Sequence, residues 1–257
     1  MRASAHLEVA LRGGADVLVA ARSEPPFAIR ATPDRILVVG SSAAPVGGDE
    51  LALDVVVGRG ARACVGTAAA TMVWPGPAAS SGDPAHLGCS PWSTTVNRLR
   101  VHDGGNVDWS PEPMVSVVGS RHRARTEVML EGSATARIVE EVSLGRSGEP
   151  SGRLDLELRV VRDDTPLVHH TERLGPGVPG WGSVVHVGDA RHVLTMVEVG
   201  CPVGATGAAV GEPDGLPAGV SLARLAVAAD VVVTLALGPD RPATLRAVRA
   251  DRPVRAG

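Results

Sequence analysis

The chain has no Lys, no Gln and no Tyr, and Phe27 is its only Phe. With aromatics at 2%, Val, Leu and Ala must fill a core that aromatic rings fill elsewhere, so packing per side chain is thinner. We read the missing residue types as nucleotide-composition bias in the source genome, not as a functional signal. Cysteine is also scarce: Cys64, Cys89 and Cys201 form no CxxC pair and are odd in number. This argues against a disulfide framework or structural zinc site and fits a reducing compartment. No run approaches about 18 uninterrupted apolar residues, so no membrane span is expected. Near the start, Glu8 and Arg12 break any signal-peptide core. Positive charge is not in excess either. The formal net charge of −3 leaves no basic stripe to release counterions from nucleic acid. A cytoplasmic protein with no nucleic-acid or membrane partner is expected.

Catalytic motifs are missing too. There is no GxxxxGKS/T phosphate loop, no GxSxG elbow and no HExxH. Gly200 to Gly211 is glycine-rich but lacks GxGxxG spacing and reads as a loop.

What is present is strand. Leu51, Leu53, Val55 and Val57 alternate with Ala52, Asp54 and Val56, and Leu154, Leu156, Leu158 and Val160 alternate with charged residues. Period two with charges on the off-beats predicts half-buried strands. A unit recurs in which a strand runs into a glycine-bearing tight turn and a small-residue strand follows. Its three cases turn at Gly58–Gly60, His102–Gly105 and Glu131–Ser133. The period is too irregular for a recognised solenoid repeat. With 20 Pro and 31 Gly there is little room for long helices. Trp74–Trp92 and Gly175–Gly182 read as loops. Leu222, Leu225 and Ala226 behind Ser221 predict a short helix near Leu216–Ala228. The expected organisation is a single domain over residues 1–257, with an Arg- and Pro-rich tail frayed from about residue 239. The predicted fold class is mostly β, with layered strand–turn–strand units and one or two short helices.

Candidate chemistry rests on a few side chains. His169 and His170 are neighbours and point to opposite faces of a strand, so they cannot chelate one ion together. His186 and His192 are six apart and offer a metal pair, against the commoner reading of ordinary surface histidines. Cys64 and Cys201 are soft-ligand candidates or buried apolar thiols. Glu140 and Glu141 lie among Ile138, Val139, Val142 and Leu144. An inward carboxylate there needs an ion pair, water or a cation, and Arg146 is the nearest candidate partner. Asp49, after Gly47 and Gly48, reads first as a turn cap.

Three ordered segments resemble the urease accessory protein UreD (UreH) family. They are Gly47–Trp74 with its Gly-Gly-Asp and Thr-Ala-Ala-Ala-Thr stretches, Leu99–Leu130 with Trp-Ser-Pro-Glu-Pro, and Arg137–Glu149 with Glu-Glu-Val-Ser-Leu-Gly-Arg. They cover about the central half of the chain. The resemblance implies a mostly β, helix-like winding of strands and a non-enzymatic role. It implies a cytosolic urease maturation factor that binds UreF and UreG and docks on apo-urease to help deliver nickel. The expected cofactor state is none stably bound, with nickel in transit. A polar interior path is implied, which favours Glu140 as the inward carboxylate and Glu141 as its exposed neighbour. Asp49 joins Glu140 as a candidate on the nickel path. Gly47, Gly48, Thr67, Thr71, Glu112, Gly145 and Arg146 match motif positions and carry over as fold, channel or interface residues. The sequence departs from the family pattern at Met72, Val73 and Trp74, at His122 where an aromatic is expected, and in a C-terminal third that lacks the family's terminal helix. Two other readings compete: a metal-dependent small-molecule enzyme on a β-barrel, with His186 and His192 as ligands, and a structural β-module that binds a partner by an exposed strand edge.

Overall fold

Period-two segments dominate the chain, and they become strands of two stacked sheets in the computed structural model, which describes residues 1–76, 91–200 and 215–250. The first sheet contains β1 (Arg2–Arg12), β2 (Ala15–Ser23), β5 (Glu50–Val57), β8 (Trp92–Val101), β11 (Arg121–Leu130), β13 (Arg153–Arg162) and β14 (Thr165–Leu174). Its order is β14-β13-β11-β8-β5-β1-β2. The second contains β3 (Phe27–Ala31), β4 (Ile36–Gly40), β6 (Arg62–Thr67), β7 (Thr71–Val73), β9 (Asn106–Trp109), β10 (Met114–Ser116), β12 (Thr135–Ser143), β15 (His192–Val199), β16 (Ser221–Ala228) and β17 (Val231–Gly238). A single helix, α1 (Arg241–Ala250), lies among the described residues.

The middle of each sheet is parallel. In the first, β1, β5, β8, β11 and β13 pair in parallel register. In the second, β4, β6, β9 and β12 do the same. The recurring glycine turns are the corners that carry the chain from one sheet to the other: β5 to β6, β8 to β9, β11 to β12. The chain therefore winds as a helix of strands, as expected, and antiparallel strands close its ends.

Equivalent residues on successive turns of this winding stack on one another. Asn106 Nδ2 donates to Thr135 Oγ1 at 2.7 Å, 29 residues away. Between the preceding pair of turns the interval is 44 residues, as in the Arg59–Asp103 ion pair at 2.7 Å. The extra length falls between Trp74 and Trp92, which hides the periodicity in the sequence. The corners stack as well. Asp103 accepts from the Ser133 amide at 3.0 Å and its hydroxyl at 2.8 Å, and these bonds hold its carboxyl below the usual range. Gly60 and Gly104 at these corners have φ of +68° and +71°, which L side chains adopt at a cost.

Between the sheets, Leu7, Val55, Leu99, Val128 and Leu158 from the first meet Val65, Val107, Ile138 and Val197 from the second. Each such side chain contributes roughly 1.5–3 kcal/mol by leaving water. Both sheets end on separate edge strands and no barrel closes, which removes the β-barrel scaffold offered for an enzyme.

Two local expectations are corrected. Ser221–Ala228 is strand β16, not a helix: it pairs antiparallel with β17 along its length, and that ladder outweighs the helical spacing of Leu222, Leu225 and Ala226. The helix forms instead at Arg241–Ala250, in the stretch read as frayed. Asp240 caps it, its Oδ1 accepting the Ala243 amide at 2.7 Å, and Ala243, Ala247 and Val248 pack on the outer face of the second sheet against Val139, Leu194 and Leu222. No helix among the described residues is long and apolar enough to cross a membrane.

Candidate functional site

The second sheet is interrupted in its middle. β6 stops at Thr67 and β7 begins at Thr71, and β9 stops at Trp109 and β10 begins at Met114. Pro111 and Pro113 explain the second break, because a proline has no amide for the ladder. β12 runs on unbroken beside these gaps, paired with β9 up to Ile138 and with β10 from Val142. Residues 139–141 thus face the break. The two gap segments are fastened to each other. Ser110 N donates to Val65 O at 2.9 Å, Thr71 N to Pro113 O at 2.9 Å, and Glu112 N to Thr67 Oγ1 at 2.9 Å. Gly66 is required here, since a Cβ would stand 2.6 Å from the Ser110 carbonyl oxygen.

Behind the break lies a cavity of about 380 Å³ between the sheets. Thr67, Thr71, Trp109, Glu112, Met114, Glu140 and Glu141 line it from the second sheet, and Leu53, Thr95, Asn97, Ala124, Thr126 and Leu156 from the first. The three sequence landmarks therefore converge on one place. What sequence reasoning missed is the opposite wall. On β8 the inward beat reads Ser93, Thr95, Asn97, then Leu99 and Val101; on β11 it reads His122, Ala124, Thr126, then Val128 and Leu130. That switch from polar or small to large apolar was a legible signal for a polar chamber at one end of a dry core.

Glu140 is the central carboxylate. It lies on the inward face of β12, the face that carries Ile138 into the core. Burial pushes its carboxyl up to about 7, opposed by a hydrogen bond from Thr126 and by His170. Near neutral pH its protonated and ionised forms are therefore close in free energy. Asn97 Nδ2 donates to Thr126 Oγ1 at 3.4 Å, completing a short polar run from β8 to β12. His170 and Glu172 come from the inward face of β14. His170 Nε2 is 3.8 Å from Glu172 Oε2, and that neighbour raises the His170 pKa.

Glu141 is not exposed. It is 8% accessible on the outer face of β12, which α1 covers. Arg241 Nε donates to Glu141 Oε2 at 2.6 Å, and His192 Nε2 lies 3.3 Å away. Arg241 Nη1 also reaches Glu112 Oε2 at 2.8 Å. Burial pushes the Glu141 carboxyl up, but bonds from His192 and Arg241 bring it below its ordinary value. Arg146, offered as partner to this glutamate pair, binds Glu149 instead at 2.7 Å and holds the Glu149 carboxyl down to about 2. Its guanidinium also stacks 5.6 Å from the Trp74 ring.

Asp49 is buried but does not line the cavity. Its carboxylate accepts from the Met1 ammonium at 2.9 Å and the Val46 amide at 2.8 Å, tying the start of β1 to β5. Gly47 and Gly48 are architectural: a Cβ on Gly47 would meet Gly76 Cα at 2.6 Å, and Gly48 has φ +92°. Gly145 turns with φ +81° against the backbone of Glu149 and Pro150. His186 and His192 do not converge. His169 faces out to Glu157 at 3.1 Å, His186 stands 3.9 Å from Glu172, and His192 serves Glu141. Among the described residues no three His, Cys, Asp or Glu side chains gather in metal-ligand geometry. Cys64 is half-buried beside Arg35, and Cys89 and Cys201 lie outside the described residues, as does most of the Trp74–Trp92 loop.

Residues 1–252 match the family described as UreD urease accessory protein. The chain is 34% identical over 272 residues to a urease accessory protein UreD of Parafrankia sp. (strain EAN1pec), covering 96% of this chain and 86% of that one. It is 36% identical over 215 residues to a UreD of Frankia casuarinae, covering 79% of this chain and 63% of the relative. With a UreD of Streptomyces griseus it shares 39% identity over 163 residues, covering 61% of this chain and 60% of the relative. With a family match over nearly its whole length and relatives at 34–39% identity, this chain belongs to the UreD family of urease accessory proteins.

Proposed function

We propose that this chain is a non-catalytic, cytoplasmic maturation factor for urease. It binds UreF and UreG, docks on apo-urease, and helps deliver nickel to the urease active site, with the ion passing through the cavity behind the broken sheet. The observation that carries this reading is Glu140, a carboxylate on the inward wall of an interior chamber whose polar lining also includes Thr67, Thr71, Thr95, Asn97, Thr126, Glu112 and Glu141. A borderline divalent cation accepts oxygen ligands of this kind. With Glu112 and Glu141 paired to Arg241, Glu140 with its hydroxyl and amide neighbours guides a cation without trapping it, which transit requires. Because Glu140 carries a proton part of the time near neutral pH, an arriving cation exchanges with that proton. Asp49, held by the Met1 ammonium, supports the chamber from outside it.

The test is Glu140→Ala. The variant should keep the parent's melting temperature and still co-purify with UreF and UreG, while urease activation in nickel-limited cells falls several-fold. Undiminished activation would take Glu140 off the nickel path. A failure of the unaltered chain to co-purify with UreF and UreG would remove the scaffold reading itself.

A further inference from the structure

The outward beats of the first sheet are rich in charge, and at one corner that charge is nearly all of one sign. β11 opens with Arg121 and β13 with Arg153, which are register partners. One step along, Arg123, Asp155 and Arg173 lie abreast on β11, β13 and β14. Neighbouring strands stand about 4.8 Å apart, so these arginines share a patch two strand spacings wide. Trp92, the register partner of Arg121 on β8, stands at its side. The Arg123 and Arg153 guanidiniums stack on the indole, 4.4 and 5.8 Å from the ring centre. Asp155 is the carboxylate set among them: it accepts from Arg153 Nε at 2.8 Å and stands 4.0 Å from Arg123 Nε. Arg121 and Arg173 are exposed and make no ion pair among the described residues. The whole chain carries a formal charge of −3, so this corner departs from the sign of the molecule around it.

We propose that this corner docks an acidic face of a partner protein. Like charges this close lie within the Debye length of about 8 Å at physiological ionic strength, so salt screens their repulsion poorly. Asp155 alone does not offset four cations, whereas carboxylates brought by a partner do, and they fit the fork of a guanidinium in bidentate geometry. Guanidiniums already stacked on an indole lose less freedom when they pair, and Arg and Trp are the side chains that dominate binding energy at protein interfaces. A nucleic acid fits less well. Asp155 in the patch and Glu157 in the next row of the same face would oppose a continuous line of phosphates. Trp92, the one aromatic on the outward beats of β8, β11 and β13, already carries stacked guanidiniums and is not open for a base. The proposal takes its candidate partners from the maturation reading and does not depend on the cavity being a nickel path.

The test titrates the purified full chain with UreF, UreG and apo-urease in turn, at low and at physiological salt. Arg121→Thr with Arg173→Thr keeps strand-forming side chains and removes two charges that no ion pair of the fold uses. One of the three complexes should weaken with salt in the parent. In the double variant its affinity should fall about tenfold, with a flatter salt dependence and the parent's melting temperature. Arg12→Thr with Arg22→Thr, on β1 and β2 at the other end of the sheet, changes the net charge equally and should leave that affinity as it is. Equal weakening by the two double variants, or three complexes indifferent to the first of them, overturns the docking face. Should the first variant melt lower than the parent, Arg173→Thr alone replaces it, and an affinity it leaves unchanged overturns the proposal. If the unaltered chain binds none of the three proteins, the maturation reading fails and a glutamate oligomer decides the patch. The parent should bind it more tightly than Arg121→Thr with Arg173→Thr does, and equal binding overturns the proposal. A single-stranded oligonucleotide of the same charge that the parent binds more tightly than the glutamate oligomer overturns the assignment to a protein.

Discussion

At the scale of single residues, the polar groups that enter the interior decide how the protein responds to pH. His122, at a position where the family resemblance expects an aromatic, is wholly buried on β11 with only Ser93 Oγ at 2.9 Å from its Nδ1. Burial pushes its pKa down to about 3. The folded value lies below the unfolded one, so its contribution is complete above about pH 6.5 and is lost as pH falls toward 3. By pH 5 the unfolded state gains about 2 kcal/mol from protonating this ring. Melting temperature measured from pH 7 to pH 5 should therefore fall less steeply in His122→Phe than in the parent, and equal slopes would contradict the assignment. Gly66 makes a different demand. Gly66→Ala puts a methyl group against the Ser110 carbonyl, and overpacking of this kind costs about 1–3 kcal/mol. Chemical denaturation should register that loss, and an unchanged midpoint would show that the gap segments yield.

At the scale of elements, alternation was legible wherever one face of a strand meets water. β5 and β13 were readable for that reason, and their inward beats are the buried ones. β12 was not, because both its faces are covered, one by the first sheet and the other by α1. The pattern then cannot say which of Glu140 and Glu141 points inward, and neither is exposed. The family resemblance favoured Glu140 inward, and β12 places it there; it also left Glu141 outside, where Arg241 and the helix now stand. The helix itself was overlooked because three arginines dominate its composition, although Asp240 followed by Arg241 and Pro242 is a cap and a proline in the first turn. Asp240→Ala should cost about 1 kcal/mol of helix stability, seen as faster amide exchange confined to residues 241–250. Exchange unchanged there would mean that packing on Leu194 and Leu222 alone holds α1 in place.

At the scale of the molecule, the three landmarks lie far apart in sequence and meet because each occupies the same stage of a successive turn of the winding. The sequence order of the motifs is thus the spatial order of the cavity wall. The opposite wall was hidden, since Thr95, Asn97 and Thr126 belong to no motif and reveal themselves only when the inward beats of β8 and β11 are read side by side. A double variant that fills this wall, Thr95→Val with Thr126→Val, retains strand-forming shapes while removing both hydroxyls. Burial without the hydrogen bond from Thr126 should make the Glu140 carboxyl harder still to ionise. Urease activation in nickel-limited cells should drop while the melting temperature holds or rises. Full activation would show that the hydroxyls take no part.

The parallel pairing of β1 with β5, β5 with β8, β8 with β11 and β11 with β13 has a temporal side. Each strand finds its partner in a segment already made, one coil earlier, and offers its own free edge to the next. Synthesis from the N-terminus supplies the strands in that order, so the topology permits winding to follow synthesis, like thread on a spool. β14 and the β15–β17–β16 group, antiparallel, extend the two sheets past their parallel middles and carry the free edges out to β14 and β16.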